Sequence, residues 1–228
     1  MRISDVFVAK PLVKKRLLTR SFLLIGALIT GLISTVVIFV TIYGQYTGTF
    51  TLSMQRDALD KGIQISETAD FKDPKSILKI NPLTEIGEIT EANLKIGEAR
   101  ETDGQYYDPD IPYYIAYTFY LKNSGKELID LNYRLRIIDS YKGAENAVKV
   151  KYMEENLSNG LLSDNTYTKP EGKHYIFDNN LYNFLEGEIY KITMFMWFDG
   201  ELTDISMLGG GVKLDLSFTI ISAEQDND

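Results

Sequence analysis

Ile189-Tyr190-Lys191-Ile192-Thr193-Met194-Phe195-Met196-Trp197-Phe198 carries one charge and is apolar at odd and even positions alike. This pattern predicts a strand covered on both faces, placed centrally in a sheet. Downstream, Val212, Leu214, Leu216, Phe218 and Ile220 alternate with Lys213, Asp215, Ser217 and Thr219. Upstream, Leu131, Tyr133, Leu135 and Ile137 alternate with Asn132, Arg134 and Arg136, and Val148, Val150 and Tyr152 alternate with Lys149 and Lys151. Between residues 113 and 122, Ile115, Tyr117, Phe119 and Leu121 share one face, opposite Tyr114, Ala116, Thr118 and Tyr120. Period two of this kind marks strands with one wet face.

Shorter strands are predicted at 49–54, 62–66, 92–101 and 173–177. Asp73-Pro74, Asn81-Pro82 and Gly87 break residues 71–90 into turns. Residues 154–165 are polar and read as a short helix or a loop, and 178–187 as a turn region. The total is about nine strands, with no long helix after residue 43. The fold class expected is mainly β, a β-sandwich with jelly-roll or immunoglobulin-like connections.

Ahead of these strands, Phe22 to Tyr43 reads FLLIGALITGLISTVVIFVTIY, without a charge, amide, histidine or proline. As a helix it would span roughly 33 Å, the thickness of a bilayer core. Lys10, Lys14, Lys15, Arg16 and Arg20 precede it, and Arg56 is the next charge beyond it. That bias puts the N-terminus in the cytoplasm and the remainder outside. A cleaved signal peptide has the same polarity, but a shorter apolar core and a small-x-small exit. The length and the bulky exit Thr41-Ile42-Tyr43 favour an uncleaved signal-anchor. The expected organisation is a basic cytoplasmic segment 1–20, a transmembrane helix 21–43, an extracytoplasmic sandwich 44–222 and an acidic tail 223–228.

Charge divides at the same place. Residues 1–43 hold six basic groups against Asp5, a net +5, and the remaining 185 hold 18 basic and 31 acidic groups, a net −13. An acidic ectodomain repels phosphates, so nucleic acid is not an expected partner, whereas the basic segment suits anionic lipid. The chain has no cysteine. That removes disulfides, thiol catalysis and thiolate metal sites, and is common among exported Gram-positive proteins.

The catalytic inventory is thin. His174 is the only histidine, which leaves one imidazole for any triad or zinc site, and it reads as a surface residue. Carboxylates are plentiful, but a glycosidase needs two of them about 5 Å apart in a cleft, and solvated charge is the plainer reading. Asp103, Asp108 and Asp110 with Gly104, and Asp199, Glu201 and Asp204, are acidic loops with oxygen ligands suited to calcium, although neither has EF-hand spacing. Gly209-Gly210-Gly211 is followed by no Lys-Ser/Thr and reads as a turn rather than a phosphate loop. Trp197, Phe195 and Tyr190 read as core rather than as a carbohydrate platform. Tyr106, Tyr107, Tyr113 and Tyr114, beside the 103–112 loop, are the candidate contact surface. No cofactor is called for, and no enzymatic activity is expected.

Gly187 to Gly200 (GEIYKITMFMWFDG) resembles the "ITIWLEG" strand of the camelysin/TasA-like exported proteins of Firmicutes. The final strand led by Gly209-Gly210-Gly211, the turn Tyr120-Leu121-Lys122-Asn123-Ser124-Gly125 (similar to "xLKNTG") and the junction Tyr43 to Phe50 extend the resemblance over most of the ectodomain. It implies a jelly-roll-like sandwich outside the cell, with roles in surface fibres and biofilm matrix. It brings no catalytic residues, and the protease activity ascribed to camelysin has no matching site here. In fibre-forming members the export segment is cleaved and a free N-terminal strand pairs with the next subunit, whereas this chain has a long anchor. The functional expectation is a membrane-anchored structural or interaction module at the bacterial cell surface, self-associating or bound to other envelope proteins. The alternatives are an accessory subunit of an envelope complex and a secreted fibre-forming matrix protein.

Overall fold

Alternating apolar residues become eleven strands in the computed structural model, which describes residues 25–32, 50–83, 87 and 89–221. The chain divides into two units, Met1–Gln45 and Tyr46–Asp228. In the first, residues 25–32 are helical and exposed. Among the described residues no helix is long and apolar enough to cross a membrane. The rest of the expected anchor, the topology residues Lys14, Lys15, Arg16 and Arg20, and the tail 223–228 lie outside the described residues.

The second unit contains β1 (Phe50–Met54), β2 (Ile63–Ser66), β3 (Ile77–Ile80), β4 (Gly104–Tyr106), β5 (Tyr114–Asn123), β6 (Ile129–Tyr141), β7 (Val148–Asn156), β8 (Leu162–Thr168), β9 (Tyr175–Phe184), β10 (Ile189–Phe198) and β11 (Gly211–Ile220). One sheet has the order β3-β1-β11-β6-β9 and the other β2-β5-β10-β7-β8, with β4 added on β5. All pairs are antiparallel except β1 with β11, where Phe50 lies opposite Leu214 and Met54 opposite Phe218.

The two sheets pack face to face. Leu52, Leu135, Leu216 and Phe218 of one share a core with Ile63, Phe119, Val150 and Ile192 of the other. Ring pairs bridge the gap, Phe119 to Phe218 at 6.2 Å and Tyr133 to Tyr152 at 5.3 Å. The outer faces differ in chemistry. On the first sheet, Asp215 accepts hydrogen bonds from Thr51, Ser53 and Arg136. On the second, Tyr114, Ala116, Met153, Phe195 and Trp197 form an apolar patch roofed by Ile89, Leu94 and Ala99. This roof explains why 189–198 is apolar on both faces: Ile192, Met194 and Met196 enter the main core while Phe195 and Trp197 point outward beneath the cover.

Three expectations are corrected. Residues 92–101 are not a strand but a 3-10 turn, Glu91–Asn93, and a helix, Ile96–Glu101. Thr90 and Asn93 form a capping box there, and Ala99 is the helix's buried residue. Residues 154–165 hold neither a helix nor one long loop, because β7 runs on to Asn156 and β8 starts at Leu162. Residues 178–187 are largely strand, since β9 continues to Phe184. β8 and β9 are edge strands, where polar residues hide the alternation. The wet face assigned to β7 is also covered: Lys151 is buried, 2.9 Å from Glu91 and paired with Asp164, while Lys149 lies 2.8 Å from buried Asp199.

Candidate functional site

The four tyrosines of the expected contact surface lie on or beside strands β4 and β5 of the second sheet, in different environments. Tyr107 is exposed and its hydroxyl accepts from Asn81 Nδ2 at 2.6 Å. Tyr106 is half-buried and donates to Glu98 at 2.6 Å, and that carboxylate pushes its phenol up to about 12. Tyr113 is half-buried and packs against the covered patch. Tyr114 is buried beneath the cover and donates to Asp108 at 2.9 Å, so it is not part of the exposed surface. Its replacement separates the two roles. Tyr114→Phe is expected to destabilise the domain by about 1 kcal/mol, read by denaturant melts, whereas Tyr107→Ser should stay within about 0.5 kcal/mol.

The two acidic loops are occupied by the protein's own groups. Asp108 is buried, which alone would raise its pKa. The N–H of Asp110, the Lys95 ammonium, the Tyr114 hydroxyl and the N–H of Ile111 outweigh burial and hold the carboxyl below its usual range. Lys95 Nζ is 3.1 Å from Asp108 and 2.7 Å from Asp110, and Asp103 accepts from Tyr120. In the second loop Asp199 takes Lys149 and the N–H of Glu201, and Asp204 caps Ser206. Among the described residues no three carboxylate or imidazole groups converge on one point as a metal site would require. His174 is exposed before β9, where its carbonyl accepts from Ile137 N.

Glu154 is a titratable group that sequence reasoning missed. It follows Val148, Val150 and Tyr152 at period two on β7, so the alternation turns it inward. Burial raises its carboxyl to about 7 from an ordinary 4.5, against hydrogen bonds from Tyr152 and Tyr133 that pull it down. The Tyr133 and Tyr152 rings stack at 5.3 Å. A carboxylic acid that is protonated near neutrality is useful as a general acid. Here its partners are core tyrosines from both sheets, and it forms a polar link inside the sandwich.

The end of the sandwich opposite the entry of β1 is organised differently. Three turns meet there: β5–β6, β7–β8 and β9–β10. Asn123, fully buried, joins the first and third. Its Nδ2 donates to the carbonyls of Glu127 and Phe184, both at 2.9 Å, and its Oδ1 accepts from Gly125 N at 2.9 Å. Its backbone adds bonds with Glu188 and Gly187. Asn156, also buried, joins the second and third: Nδ2 donates to Glu188 and to the Tyr190 hydroxyl, and Leu157 N donates to Ile189 O at 2.9 Å. Gly125 is required by space, because a Cβ there would lie 2.1 Å from Lys61 O. On this rigid frame Leu128, Leu157, Leu161 and Leu185 are exposed, Leu161 by 71%. These exposed leucines lie on turns that the strand order brings to one end of the sandwich.

No family model matches the sequence, and no curated protein matches it. Among solved structures, a β-glucosidase from Kluyveromyces marxianus is similar at 14% identity and a TM-score of 0.26, over 72% of this chain and 17% of the glucosidase. A likeness of that degree carries no argument about this chain.

Proposed function

We propose that this protein is a membrane-anchored extracytoplasmic β-sandwich of the camelysin/TasA-like type, acting as a structural or interaction module at the bacterial cell surface. The observation that carries the reading is the polarity of the sandwich. The chain enters through β1 at one end, and the leucine-bearing turns fixed by Asn123 and Asn156 lie at the other. A tether at one end and apolar contacts at the other suit a module that meets envelope proteins, or further copies of itself, away from the bilayer. The uncharged run 22–43 with its basic flank supports the tether.

Strand order supports a jelly-roll connection over an immunoglobulin-like one. From β5 onward the chain passes between the sheets to give β5-β10-β7-β8 facing β11-β6-β9. β1 lies beside β11, with β3 beyond it at the edge, but runs parallel to β11. The partners this reading expects are the lipid bilayer and proteins, and it assigns no cofactor.

Expression of the full chain in a Gram-positive host tests the tether. An intact Met1 in the membrane fraction is the expected result. A new N-terminus near Gly44 in the medium or cell wall would overturn the tether and leave a secreted matrix protein. Sedimentation of the detergent-solubilised chain then separates self-assembly from an accessory subunit that stays monomeric.

A further inference from the structure

At the entry end, the loop between β10 and β11 presents the two most exposed large apolar side chains among the described residues, Ile205 at 90% and Leu208 at 74%. They lie three residues apart across the 3-10 turn Ile205–Met207, a spacing that places side chains on one side. Several of the turn's backbone groups are paired. Asp204 accepts from Ser206 N, Met207 N donates to Asp204 O, Leu208 N to Ile205 O, and Gly210 N to Met207 O. Lys142 reaches in to donate to Leu208 O. Each of these bonds lowers the cost of moving the turn into the partly hydrated headgroup layer. The loop therefore displays an apolar pair with an ammonium beside it, a combination that suits the headgroup boundary of a bilayer. Glu201 and Asp204 belong to the same loop, Asp204 being committed to its cap.

The path of the chain identifies what covers this pair. Phe50 is opposite Leu214, three residues after Gly211, where the loop re-enters the sheet. β1 therefore begins at the end of the sandwich where the loop lies. Only residues 44–49 separate the apolar run 22–43 from Phe50, a reach of at most about 25 Å when fully extended.

We propose that the Ile205–Leu208 turn seats in the interface of the bilayer that holds the tether, orienting the sandwich with its leucine-bearing turns outward. This rests on the tether reading of the preceding section.

The chain has no native cysteine, so one introduced thiol is a unique label. Full-length Ile205→Cys and Leu161→Cys, each carrying an environment-sensitive fluorophore, would be reconstituted into phosphatidylcholine vesicles with and without phosphatidylglycerol. Flotation reports the tether, and a headgroup-depth quencher reports the turn. The expected result is flotation of both variants, with a blue-shifted probe at 205 quenched several-fold more than the probe at 161. Flotation with both probes equally aqueous would overturn the seating and leave the tether standing. An aqueous 205 probe whose unlabelled thiol cross-links copies would also overturn it, assigning the turn to a second copy. Failure to float would overturn the tether reading, and the seating with it.

Discussion

Asn123→Ala is expected to melt about 6–12 °C below the parent chain, a loss of about 3 kcal/mol for a domain of this size. Asn123 is fully buried, and its side chain serves three backbone groups: the carbonyls of Glu127 and Phe184 and the N–H of Gly125. Alanine leaves all three unpaired, the Phe184 carbonyl in a buried setting and the other two in part-buried ones, and a buried orphaned group costs about 1–3 kcal/mol before relaxation. Asn123→Asp keeps the acceptor for Gly125 but removes both donated bonds and introduces a buried charge, so it should be no more stable. Thermal melts of both variants provide the measurement. A shift of only a degree or two would mean that the turns hold together without this residue. Because the turns carry Leu128 and Leu185, the same variant is expected to weaken any contact made through that end.

Glu154→Gln has an effect whose size depends on pH. In the unfolded chain this carboxyl titrates near 4.5, and in the folded domain burial keeps it protonated to about 7. Below 4.5 both states are protonated, and the group contributes no difference. As pH rises from 4.5 to 7 the unfolded state releases its proton while the folded state holds it, so stability falls through that window. Above 7 the loss is complete, about 2–3 kcal/mol. Glutamine has no proton to release. The variant should match the parent at pH 4 and exceed it by about 2–3 kcal/mol at pH 8, measured by denaturant unfolding at both values. A difference independent of pH would assign the slope elsewhere.

The strands that carry the core were legible because their chemistry repeats. Residues 189–198 and 212–220 lie where the alternation puts them, and Trp197 and Phe195 are core rather than a ligand platform. The signal failed where a second requirement overrode period two. Lys149 and Lys151 look like solvent-facing residues, but they pair with Asp199 and Glu91 from segments distant in sequence. Residues 92–101 have the apolar content of a strand, yet Thr90 and Asn93 cap a turn ahead of a helix. Glu154 is the reverse case, since the alternation pointed inward and its charge argued against following it. The leucine-bearing end could not be read from any one stretch, because Leu128, Leu157, Leu161 and Leu185 lie on three separate turns that Asn123 and Asn156 tie at one end. Of the four tyrosines named in advance, Tyr107 is the exposed one and Tyr114 belongs to the covered patch.

The parallel pairing of β1 with β11 also sets an order of events. The first strand of the sandwich finds its neighbour only when residues 211–220, far downstream in the chain, become available. Until then β1 has β3 alone, and β6 lacks its partner on the same side. Pairings this distant along the chain form slowly, because a loop of some 160 residues must close before any contact rewards it. If the N-terminal segment anchors the chain as proposed, the emerging ectodomain waits at the bilayer with the first sheet open. That sheet closes only after residues 211–220 have followed it across.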